Sequence, residues 1–73
     1  MTVKRMVAYH ISRLKDKSPA VRLKSINELA LLGDAAALEA LQEVYKTDDD
    51  AEVRKAAQDA GRTIFLKQKQ QQS

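Results

Sequence analysis

Residues 15–22 read KDKSPAVR, and residues 47–54 read TDDDAEVR. In each stretch an aspartate stands six residues before an arginine, with valine just ahead of that arginine. Asp16, Val21 and Arg22 thus recur as Asp48, Val53 and Arg54, at an offset of 32. A chain that spells one corner twice is confined to folds that repeat a supersecondary unit. The 73 residues leave room for two such units in one small domain.

The units are helical. Two glycines, one proline and few β-branched runs favour helix throughout. The first helix is expected from Val3 to Lys15, with Val3, Val7, Ile11 and Leu14 on one face. Ser18 is a good N-cap for the second, and Pro19 suits its first helical position. Val21, Ser25, Leu29 and Leu32 line its inner face with Ile26 beside them, and Gly33 ends it in the left-handed conformation. Asp34 caps a third helix, expected from Ala35 to Lys46, with the stripe Leu38, Leu41, Val44 and Tyr45. Asp50 caps a fourth, from Ala51 to about Leu66, and its neighbouring acids suit the positive end of the helix dipole. The remaining segment, KQKQQQS, has no apolar residue and is expected to be a flexible, fraying tail over 67–73.

Apolar stripes joined by short turns make antiparallel helix hairpins. The first helices of the two hairpins align at an offset of 30, placing Ile11 on Leu41 and Leu14 on Val44. The second helices align at 32. The expected architecture is all-α: four helices in two hairpins, about 3–32 and 34–66, stacked as a short α-solenoid within a domain at 1–66.

With both corners in place, the chain resembles the HEAT repeat family over roughly residues 3–66. The link LLGDAAALEAL, residues 31–41, is similar to that of the phycobilisome-lyase HEAT-like repeats, through Gly33, Asp34, Ala37, Leu38 and Leu41. The resemblance implies a ladder between neighbouring repeats, built from Asp16, Arg22, Asp48 and Arg54. Wheel geometry agrees, since Arg22 lies about 100° from Val21, on the side of Ile26 and Leu29. A guanidinium there sits at the seam between hairpins and needs a carboxylate. Leu23, Ile26 and Ala30 become Lys55, Gln58 and Arg62 at the matching positions of the fourth helix. The second unit is therefore expected to act as a polar capping end of a complete two-repeat protein. Gly61 is read as a site of close helix packing.

The charge is unevenly spread. Residues 1–32 carry a net +5, residues 33–59 a net −5 and residues 60–73 a net +3, for +3 in total. No cysteine is present, so thiol catalysis and thiolate metal sites are excluded. The single histidine, His10, has no second histidine or cysteine to join it as a ligand. Asp48-Asp49-Asp50 lacks the ligand spacing of a calcium loop and is read as turn plus cap. No phosphate-cradling glycine loop occurs. No converging catalytic set is found, and no cofactor is expected. No apolar stretch reaches signal-peptide or transmembrane length, which points to a cytoplasmic protein.

Surfaces remain. The resemblance implies that second helices line a concave face where partners lie. On the second helix the outward residues are Lys24, Asn27, Glu28 and Leu31, with Leu31 an apolar anchor among polar neighbours. On the fourth, Asp59 and Thr63 occupy matching positions, and Tyr9 on the first helix is a further candidate. The leading reading is a non-enzymatic protein-interaction module, an adaptor or assembly factor. An accessory role with light-harvesting proteins follows only from the repeat subgroup. Nucleic-acid binding through Lys4, Arg5, Arg13, Lys15, Lys17, Arg22 and Lys24 is a third reading. Self-association is a fourth, because small domains gain stability that way.

Overall fold

The computed structural model describes residues 2–72. Four helices follow in order: α1 (Val3–Arg13), α2 (Pro19–Leu32), α3 (Leu38–Thr47) and α4 (Ala51–Gln72). A 3-10 turn, Ala35–Ala37, precedes α3. α1 packs on α2 and α3 on α4, forming two hairpins, and α2 lies against α4 to join them. The result is a small all-α solenoid of stacked hairpins.

Each boundary has a local cause. Thr2 caps α1 by accepting the Arg5 N–H, and Ser18 caps α2 by accepting that of Val21. Gly33 ends α2 with φ 67°, where a side chain would be strained. Asp34 accepts the Ala36 N–H, and its carbonyl accepts the Ala37 N–H. That cap tightens the first turn, so α3 proper begins at Leu38 rather than at the expected Ala35. α1 likewise ends at Arg13, two residues short of the expected Lys15.

The core is apolar and continuous across both hairpins. Ile26, Leu29, Leu41, Val53 and Ile64 are fully buried, each contributing about 1.5–3 kcal/mol by removal from water. Val7, Leu14, Ala37, Val44, Ala57 and Ala60 complete it. Stripe residues at the edges are less buried than expected: Val3 and Tyr45 are exposed, and Ile11, Val21, Leu32 and Leu38 are half-buried.

The expected end of α4 at about Leu66 is corrected. The helix continues through Gln72. Lys67 Nζ donates to the Ala30 carbonyl at 3.3 Å, and Gln68 Nε2 donates to the Gly33 carbonyl at 2.9 Å. These side chains satisfy carbonyls at the end of α2 that its own helix leaves unpaired. Polar contacts thus extend α4 where apolar ones are missing. Ser73 lies outside the described residues.

Candidate functional site

The repeated corners have the same internal geometry. Asp16 Oδ1 accepts the Ser18 N–H at 2.9 Å, and Asp48 Oδ1 accepts the Asp50 N–H at 3.0 Å. Arg22 Nη1 donates to the Asp16 carbonyl at 2.7 Å, and Arg54 Nη1 donates to the Asp48 carbonyl at 2.7 Å. Each arginine therefore reaches back six residues and ties the entry of its own turn to its helix. Each aspartate folds its turn through the short side-chain bond typical of such residues.

Only one arm of this arrangement crosses between hairpins. Arg22 Nη2 donates to Asp48 Oδ1 and to Asp49 Oδ1, both at 3.3 Å. Its Nε lies 3.0 Å from Asp48 Oδ2, an ion contact out of line for a hydrogen bond. Arg22 and Asp48 are brought together in the seam. Asp16 stays within the first hairpin, paired at 3.4 Å with Arg13. Arg54 serves its own corner. Asp50 Oδ1 accepts the Glu52 and Val53 N–H groups, so all three aspartates of the 48–50 run have structural partners. Among the described residues no group of three metal-ligating side chains forms.

The outward residues of α2 and α4 are accessible. Lys24, Asn27 and Leu31 are exposed and Glu28 is half-buried. Their spacing puts all four on one stripe of α2. Leu31 is 75% exposed, more than any other large apolar residue described. On α4, Asp59 and Thr63 are exposed, and Asp59 pairs with Lys55 at 3.4 Å. Tyr9 meets Lys24 at a cleft of about 250 Å³ that His10, Arg13, Val21 and Ser25 complete. There the Tyr9 ring packs edge-on against His10, and the Arg13 guanidinium lies 5.9 Å from its centre.

Sequence reasoning missed two grooves. One, of about 340 Å³, lies between α3 and α4 over Leu38, Leu41, Tyr45, Ala57, Gly61 and Phe65. It changes two expectations. The outer face of the second hairpin is not uniformly polar, since apolar floor lies beside Gln58 and Arg62. Gly61 does not mark close packing, because a Cβ built there meets nothing within 4 Å. The other groove runs between α1 and α3. It was invisible in the helical stripes, which say which face is apolar but not whether a neighbour covers it.

Stacked antiparallel hairpins, tied by a buried arginine–aspartate contact and offering open helical surfaces, define a helical-repeat protein. The chain matches HEAT repeats over residues 3–61. It belongs to the HEAT repeat family, whose members are generally protein-interaction modules. No curated protein matches the chain. No solved structure matches it either. Among the described residues, no helix is long and apolar enough to cross a membrane.

Proposed function

We propose that this chain is a non-enzymatic adaptor or assembly factor that holds a protein partner along the outward stripe of α2 and the adjoining surface of α4. The observation that carries this reading is Leu31. Its side chain stands in water beside exposed Asn27 and half-buried Glu28, at the end of α2 that Lys67 and Gln68 hold. An apolar anchor on a rigid support with a polar rim is what a protein interface uses. Lys24 and Asn27 supply the rim on α2, and Asp59 and Thr63 supply it on α4.

The other readings draw less support. Nucleic-acid binding loses Arg22, which is buried against Asp48 and Asp49, and Lys15, which faces a groove walled by Glu39 and Glu43. Bilin handling needs an enclosing apolar pocket, whereas the clefts here are shallow surface troughs. The test is affinity capture from the native cell with wild type, Leu31→Glu and Lys24→Glu. Loss of the same partner with both folded variants is expected. Undiminished recovery would remove this face from the account.

A further inference from the structure

The sequence separates its charges along the chain, and the fold turns that separation into two facing walls. α1 packs on α2 and touches the 3-10 turn, but makes no substantial packing with α3. Between α1 and α3 lies a groove of about 660 Å³. A second groove, of about 300 Å³, shares Ile11 and Ala36 with it and extends it toward the start of α1. Together they form one trough along both helices. Its floor is apolar: Ile11, Ala36, Ala40 and Val44. One wall carries Lys4 near the start of α1 and Lys15 in the turn just past the end of that helix. Its α3 wall carries Glu43 and Glu39, with Asp34 at the Lys4 end and Asp48, already paired with Arg22, at the Lys15 end. None of Lys4, Lys15, Glu39 and Glu43 makes an ion pair among the described residues.

We propose that this trough is a homodimer interface, occupied by the same face of a second copy. The charge pattern selects both the partner and the symmetry. A two-fold axis lying in the interface and parallel to the trough exchanges the two walls while keeping their ends. Lys15 of each copy then faces Glu43 of the other, and Lys4 faces Asp34 and Glu39. The rims meet charge to charge and close over the apolar floors. An in-plane axis across the trough would set basic wall against basic wall, bringing Lys15 opposite Lys4. Lys4 and Lys15 of each copy thus find carboxylates in a second copy turned the first way. A two-fold interface is built from one patch meeting itself, and a polarised patch is suited to it. α1 and α3 are only about 16 Å long at 1.5 Å per residue. The contact is therefore small beside stable interfaces of about 1,600 Å², and the dimer proposed is a weak one, in the range of about 10 micromolar.

Sedimentation equilibrium of the full chain, from about 1 to about 300 micromolar, tests this at a span bracketing that affinity. Twice the monomer mass at the upper end is expected, shifting toward monomer at high salt. Lys15→Glu alone and Glu43→Lys alone each convert two attractive pairs to repulsive ones and weaken the dimer by roughly tenfold. The double variant Lys15→Glu with Glu43→Lys restores it. Both sites are exposed, so helical content by circular dichroism is unchanged in all three. A wild type that stays monomeric throughout overturns the proposal. So does a dimer indifferent to the single reversals, or one that the double variant fails to restore. Leu31→Glu leaves this mass unchanged, which separates the result from the partner face on α2.

Discussion

Replacing Asp48 with alanine and, separately, Asp16 with alanine compares a corner whose aspartate crosses the seam with one whose aspartate meets only the partly exposed Arg13 of its own hairpin. Each aspartate accepts one backbone N–H two residues on, at 3.0 Å for Asp48 and 2.9 Å for Asp16. Losing that turn bond costs about 1 kcal/mol in either case. Asp48 also faces the Arg22 guanidinium, where the two side chains are only 9% and 11% exposed. Removing one partner of a buried pair typically costs about 3–5 kcal/mol, because the other charge stays buried. Two features reduce this. Arg22 keeps its bonds to the Asp16 and Lys17 carbonyls. Asp49, 94% exposed and 3.3 Å away, retains part of the attraction. The seam contribution is therefore about 2 kcal/mol, giving about 3 kcal/mol for Asp48→Ala against about 1 kcal/mol for Asp16→Ala. A domain of this size has roughly 4–11 kcal/mol in all, so Asp48→Ala is a large loss. Urea unfolding followed by far-ultraviolet circular dichroism measures both, with unchanged slopes checking that the comparison is of stability alone. Equal losses within about 0.5 kcal/mol would refute the reasoning, because the ion pair would then add nothing to the turn.

The two glycines should respond in opposite directions. Gly61→Ala raises stability by about 0.5–1 kcal/mol, since it sits in mid-helix with open space at its Cβ. Gly33→Ala lowers it by about 1 kcal/mol or more, since φ is 67° and a Cβ comes within 3.0 Å of Lys67 Cδ. Thermal melts of the two variants check the sign of each. Ending the chain after Leu66 removes the side chains that hold the Ala30 and Gly33 carbonyls. It should lower stability by about 1–2 kcal/mol and speed amide exchange at the end of α2. Unchanged exchange there would show that Lys67 and Gln68 hold nothing in solution.

What the sequence discloses here depends on distance along the chain. The caps at Ser18, Asp34 and Asp50 were legible because donor and acceptor lie two or three residues apart. Gly33 was legible because a glycine just past an apolar stripe readily takes the left-handed conformation that ends a helix. The length of α4 was not. Its last turns answer to carbonyls 37 and 35 residues away, at Ala30 and Gly33, and composition alone marks that segment as unable to order itself. Helical stripes also overstated the core. Val3 and Tyr45 lie on the correct faces but at the edges of the packed layer, where about half of each side chain stays exposed. The trough between α1 and α3 escaped for the same reason, although the opposite charges of its two walls were already plain in the separate halves of the chain. The stripe on α2 was legible as an exposed face, since its residues follow helical spacing away from Ile26 and Leu29.

The corner at Arg22 gives the stack a direction. One nitrogen of that guanidinium looks back to Asp16, and another looks ahead to the next unit's aspartate. Hairpins joined this way resemble words whose grammar runs one way only. If the two units were written in reverse order, Arg54 would have to look ahead to Asp16. The residue beside that aspartate is Lys17, where Asp49 now stands beside Asp48. The second carboxylate of the clasp would become a cation, and the join would lose part of its attraction to repulsion. Part of the order of the two near-copies is thus encoded one residue past the aspartate they share.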